Sequence, residues 1–214
     1  MASALFIVFE GVDGSGTTTQ SQLLFRHIRE LGHAALLARE PGGTSIGERI
    51  RNLVLDPNEE QMADVTELLL YAASRCQHVD QIIRPALAAD QPVVCDRYAD
   101  SSLAYQGYGR GLDLALVGLV NKLATGDCLP DMTVYLDLPV KAAAARRGAR
   151  AGDADRVERA GEELQERVKQ GYRQISEQRP GSSLLVDAAK DVQQQSDFIR
   201  AELDRRWPSF PFKG

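Results

Sequence analysis

An apolar run, ALFIVF over residues 4–9, leads through Glu10 into the glycine-rich stretch GVDGSGTTTQ, residues 11–20. Gly11 and Gly16 hold the GxxxxG spacing of a phosphate-binding loop, a turn that joins a buried strand to the helix after it. In that pattern the next two residues are Lys and then Ser or Thr; here they are Thr17 and Thr18. Three readings fit the stretch taken alone. It is a tight strand-to-helix turn, or the loop of a nucleotide-binding enzyme that replaces the lysine's charge from elsewhere, or a loop that binds without turnover.

The rest of the chain favours a nucleotide fold. Short apolar runs recur at AALLA (34–38), PVVC (92–95), MTVYLDL (132–138) and SLLV (183–186), separated by long stretches of helical character. This alternation predicts an α/β three-layer sandwich with a five-stranded parallel sheet. Ligands of such sheets sit beyond the carboxyl ends of the strands. The residues there are polar: the glycine loop after the first run, REPGGT (39–44) after the second and DRYADSS (96–102) after the third. All three are expected at one mouth.

With 43% hydrophobic residues in 214, the chain has enough apolar material for one globular domain spanning 1–214. A net charge of -5 argues against nucleic acid as the main partner. The N-terminal apolar run is short, lacks a basic flank and ends at Glu10, so a soluble protein without membrane contact is expected. Cys76, Cys95 and Cys128 are odd in number and show no CxxC spacing, which suits a reducing cytoplasm. His27, His33 and His78 are scattered, and surface or packing roles are expected for them. The stretch RRGARAGDADR (146–156) is rich in Arg, Ala and Gly and reads as a loop or lid, at about 146–158.

In the loop, successive main-chain N–H groups and the following helix terminus make an anion cradle that needs no side chain. Residues Gly11, Val12, Asp13, Gly14, Ser15, Gly16, Thr17, Thr18 and Thr19 form this candidate ATP site. Thr18 occupies the hydroxyl position that ligates Mg²⁺ in such loops. Asp96, closing PVVC, is the matching candidate carboxylate, with a helix cap as the competing role. Tyr71 and Arg75 lie four apart and share a helix face. Arg39 and Arg97 each end a strand at the mouth, where a guanidinium can grip a phosphate bidentately or form a structural ion pair.

Taken together, FEGVDGSGTTTQ, REPGGT, LLLYAASRCQHV, DRYADSSLAYQGYGRG and DADRVE resemble, in order and spacing, the bacterial thymidylate kinases, with YQGYGRG after DRY the most discriminating part. The likeness covers nearly the whole chain and implies the P-loop nucleoside-monophosphate kinase fold, transfer of the γ-phosphoryl group of ATP to dTMP with Mg²⁺, and a homodimer. It implies an acceptor site of Asp13, Arg39, Tyr71, Arg75, Arg97, Ser102, Tyr105 and Gln106. Tyr71 would stack on thymine, Arg75 would contact the base and phosphate, and Asp13 would reach toward the sugar 3′-hydroxyl. Tyr105 would crowd the 2′ position, and Ser102 and Gln106 would lie near the base. The departure is Thr17, where the family pattern has lysine. The class of the family with glycine inside the loop, as at Gly14, carries its catalytic arginine in the lid. Arg146, Arg147, Arg150 and Arg156 are therefore expected to supply the missing charge, with Arg147 and Arg150 joining Asp13 and Arg97 as candidate catalytic residues. The alternative is a catalytically silent nucleotide-binding protein of the same fold.

Overall fold

The computed structural model describes residues 4–149 and 155–208. Chain order is β1 (Phe6–Gly11), α1 (Thr17–Glu30), β2 (Leu36–Arg39), α2 (Ser45–Leu55), α3 (Asp64–His78), α4 (Arg84–Ala88), β3 (Val93–Asp96), α5 (Ala99–Ser102), α6 (Leu114–Thr125), β4 (Met132–Asp137), α7 (Val140–Gly148), α8 (Glu162–Gln178), β5 (Ser183–Asp187) and α9 (Val192–Arg206). A π-helical turn, Val79–Ile83, joins α3 to α4, and another, Leu103–Gly109, follows α5.

The five strands pair in the order β2-β3-β1-β4-β5, all parallel. The five apolar runs are these strands, with ends shifted by at most two residues. Every residue of β1 is buried, as a central strand covered on both faces requires. One layer of core joins Ile7, Phe9, Leu24, Ile28, Val134 and Val168. The other joins Phe6, Val8, Val79, Ile83, Val93 and Cys95. The alternation along β1 and β3 sends successive side chains to opposite layers.

Helix starts follow local chemistry. Thr44 accepts a hydrogen bond from the Gly47 N–H at the head of α2, and Asp113 and Asp191 cap α6 and α9 in the same manner. The head of α1 has no such side chain; Gly16, in the left-handed region, stands there and leaves the first N–H groups open to the mouth. Among the described residues no helix is long and apolar enough to cross a membrane.

Candidate active site

The carboxyl ends of β1, β2 and β3 bring the three polar segments together. Strand register sets Phe9 beside Asp96 and Arg39 beside Asp96, so the glycine loop, REPGGT and DRYADSS leave the sheet at one level.

The glycine loop closes with Ser15 N–H donating to the Val12 carbonyl at 3.0 Å. Val12 turns its side chain into the core, which leaves only its backbone to the loop. Thr17 is buried, whereas Thr18 and Thr19 are exposed on the first turn of α1. Thr18 Oγ1 donates to Asp96 Oδ2 at 2.5 Å. Asp96 Oδ1 is buried without a hydrogen-bond partner among the described residues. An oxygen pair with a spare carboxylate lone pair fits a hard cation such as Mg²⁺, which takes one or two protein oxygens and leaves its other positions to water and phosphate. Among the described residues no group of three or more His, Cys, Asp or Glu could hold a metal.

Asp13 is the hinge between the loop and a neighbouring cavity with about 580 Å³ of empty volume, part of it open to solvent. Its carboxylate accepts from Arg97 Nη2 at 2.7 Å, from Tyr105 Oη at 2.9 Å and from Gln165 Nε2 at 3.3 Å. Arg97 Nη1 donates to the Gly11 carbonyl at 2.7 Å and to Tyr172 Oη at 3.2 Å, and its guanidinium lies 5.5 Å from the centre of the Tyr105 ring. Arg97 has φ 71°, a left-handed conformation uncommon for a side-chain-bearing residue and typical of functional sites.

The cavity collects Asp13, Tyr71, Arg75, Arg97, Ser102, Tyr105 and Gln106. Half-buried Tyr71 has its phenol pushed up by burial and by the Glu67 carboxylate, so it stays neutral. Arg75 is 1% exposed, and its guanidinium donates to Glu40, Ser102, Asn121 and the Tyr98 carbonyl. The Gln106 amide is spent on Glu67 Oε1 at 2.7 Å. Arg39 stands apart. It grips Glu48 with hydrogen bonds of 2.8 and 2.9 Å and lines a different depression, beside Thr18 and Asp96. Arg51, which the sequence reading did not single out, lines the cavity and donates to the Pro41 carbonyl.

The basic stretch divides. Arg146 and Arg147 end α7 and do not form a loop; Ala-rich KAAAARRG carries the helix through them, and two cations suit its C-terminal dipole. Both lean on the glycine loop: Arg147 donates to the Asp13 carbonyl, and Arg146 to the Ser15 and Ala188 carbonyls. A Cβ at Gly14, whose φ is +89°, would lie 2.5 Å from the Ala143 carbonyl oxygen. The expectation for Arg150 falls outside the described residues. Arg156 departs from its expected role. It is buried, donates to the Val54 carbonyl, and pairs with Glu67 at 2.5 Å. An arginine with a buried carboxylate within reach satisfies both charges there. Burial raises the Glu67 carboxyl, but hydrogen bonds from Gln106 and Arg110 and the charges of Arg110 and Arg156 outweigh it and hold it below its ordinary value.

Glu10 is fully buried and touches the cavity lining through Ser101, accepting from the Tyr98 and Ser101 N–H groups, Ser101 Oγ and Tyr172 Oη. Burial pushes its carboxyl up to about 7, against the opposing pull of Arg97. The only signal for it in the sequence is a charge inside an otherwise apolar strand.

A family model described as thymidylate kinase matches residues 9–199. A thymidylate kinase of Desulforudis audaxviator is 49% identical over 191 residues, covering 89% of this chain and 86% of its own. One of Geotalea uraniireducens is 43% identical over 201 residues, covering 92% and 94%. Among solved structures, the thymidylate kinase of Ehrlichia chaffeensis superposes with a TM-score of 0.76 at 32% identity, covering 94% of this chain and 99% of that one.

Proposed function

Because this chain belongs to the thymidylate kinase family, we propose that it transfers the γ-phosphoryl group of ATP to dTMP, giving dTDP and ADP, within one kinase domain working in the cytoplasm. The observation that carries the reading is the double membership of Asp13. It belongs to the glycine loop, and its carboxylate also faces the acceptor cavity. A donor phosphate in the loop and an acceptor in the cavity would thus meet at one residue. In the transfer, the bond from the γ-phosphorus to its bridging oxygen breaks as an oxygen of the dTMP phosphate bonds to that phosphorus.

Main-chain N–H groups of residues 11–19 hold the triphosphate, and Arg97 and Arg51 stand ready for the acceptor phosphate. Tyr71 offers a ring face to the base. Arg39 serves the acceptor through the REPGGT turn it helps shape; its own guanidinium is committed to Glu48. Tyr105, fixed by its bond to Asp13, crowds the sugar. Thr18 and Asp96 would hold Mg²⁺, which would supply positive charge to offset the charge developing on the transferring phosphate. Catalysis of this kind rests on positioning and charge stabilisation more than on covalent chemistry by the protein. Thr17 lacks the usual cation, so the enzyme is a slow one, helped by arginine from α7.

Its working unit is a homodimer formed through α3 and α6, which pack side by side. Leu116, Leu119 and Leu123 of α6 and Val65 and Leu69 of α3 are exposed, and each set recurs at helical spacing.

ADP formation with ATP and dTMP, each omitted in turn, tests the reading. Release only when both are present supports it. Nucleotide binding without ADP under any condition favours the silent binder.

A further inference from the structure

Arg75 leaves little of itself to a ligand. A guanidinium carries five N–H bonds and no acceptor. Its Nε donates to Glu40 Oε2 at 2.8 Å, Nη1 to Ser102 Oγ at 3.0 Å and Asn121 Oδ1 at 2.9 Å, and Nη2 to the Tyr98 carbonyl at 2.9 Å. One N–H, on Nη2, remains for the cavity that Arg75 lines.

Glu40 is 5% exposed, and its other oxygen, Oε1, lies 3.1 Å from His78 Nδ1. Since Glu40 is an acceptor here, Nδ1 carries the hydrogen. His78 Nε2 is buried with no partner among the described residues, so the imidazole's hydrogen bonding is directed at Glu40 alone. The ring fits because residue 43 is glycine: a Cβ at Gly43, φ +81°, would sit 2.9 Å from His78 Nε2. The chain of contacts thus runs from the REPGGT turn through His78 and Glu40 to Arg75.

We propose that His78 and Glu40 are positioning residues for acceptor selectivity: they hold Arg75 so that it shows the base one hydrogen-bond donor and nothing that accepts, which admits a pyrimidine carbonyl and refuses an amino group at the same place. This rests on the dTMP reading. A buried donor met by an amino group is left unpaired, and sites built around a specific hydrogen bond discriminate strongly for that reason. Without Glu40 or His78 the guanidinium can turn away and withdraw that donor from the base.

The test compares dissociation constants for dTMP and dCMP by calorimetry, with thermal melts as a check on folding. Four variants are needed: Glu40→Gln, His78→Leu, His78→Asn and Gly43→Ala. His78→Leu and Glu40→Gln should lower the dCMP-to-dTMP ratio of dissociation constants at least about tenfold, since a misdirected donor loses discrimination more than affinity. His78→Asn keeps a donor near Nδ1 and should restore most of the ratio. Gly43→Ala, on the exposed turn, should displace the ring and shift the ratio in the same direction. A purely structural role would weaken both nucleotides alike. Folded variants that all keep the parental ratio overturn the inference. A parent that makes no ADP with dTMP overturns the functional reading itself.

Discussion

The Arg147 guanidinium donates to the main-chain carbonyl of Asp13, which puts a cation from α7 inside a phosphate loop that has none of its own. If that cation stabilises the transferring group, Arg147→Ala should lower kcat at least about tenfold and leave the dTMP dissociation constant nearly unchanged, because interactions made in the transition state appear in kcat. Steady-state kinetics beside calorimetry separate the two. An unchanged kcat would remove Arg147 from the chemistry.

Thr17 invites the converse change. Its side chain is too short to reach the β- and γ-phosphates, and loss of one preorganised electrostatic donor costs about 3 kcal/mol, about a hundredfold in rate. Thr17→Lys should therefore raise kcat at least about tenfold with little effect on dTMP affinity. A lysine variant no faster than an active parent would mean that α7 already supplies the whole of the missing charge.

The proposed Mg²⁺ site is testable at Thr18 and Asp96, whose side-chain oxygens lie 2.5 Å apart. Chelation should stop ADP formation, and added Mg²⁺ should restore it. Asp96→Asn should raise the Mg²⁺ concentration needed for half-maximal rate by about tenfold or more, since a hard cation loses its charged oxygen. A variant with parental Mg²⁺ dependence would place the metal elsewhere.

Glu10 makes stability depend on pH. Its carboxyl has an ordinary value of 4.5 and stands at about 7 in the fold. Below pH 4.5 both the folded and the unfolded chain hold the proton. Between 4.5 and about 7 the unfolded chain has released it and the folded chain has not, so stability falls as pH rises, and above about 7 the loss is complete. The full loss is about 3 kcal/mol. Glu10→Gln removes this slope. Denaturation midpoints at pH 5 and pH 8 should therefore converge more closely in the variant than in the parent, and parallel behaviour of the two proteins would refute the assignment.

The leucines of α6 predict assembly. Leu119 and Leu123 are 66% and 84% exposed, which makes them the residues to change in a test of the proposed dimer. Leu119→Glu should convert a dimer in sedimentation equilibrium to a monomer without lowering the melting temperature of the fold by more than a few degrees. A parent that sediments as a monomer would dismiss the interface.

Strands were legible because parallel strands buried on both faces are written as unbroken apolar runs, and PVVC and MTVYLDL have no competing periodicity. The mouth was legible for a similar reason: the polar residues follow those runs directly. What escaped were buried charges whose partners lie far away in sequence. Glu67 and Arg156 are 89 residues apart, and Glu10 and Tyr172 are 162 apart. A single charged residue read along the chain defaults to solvent, which is why the sequence presents Arg156 as a lid cation. Glu40 carries no signal of its own, since the proline and glycines beside it explain a turn without any need for its carboxylate. Arg39 and Arg51 show the same limit, because strand position predicts a mouth but not which guanidinium an adjacent Glu48 will hold.

Gly14 sets a rule of exclusion. A Cβ there would press on the Ala143 carbonyl oxygen and come within 3.1 Å of Arg147 Cγ. The space beside the loop is therefore already let to α7, and a long basic residue at position 14 and an α7 docked as it is here are alternatives that one chain cannot hold together. Evolution of this fold toward a loop-borne cation at that position would have to move the helix first. Restoring charge at position 17, on the far side of Gly16, leaves the helix where it is, which makes that route open to a single substitution and the other a coordinated change.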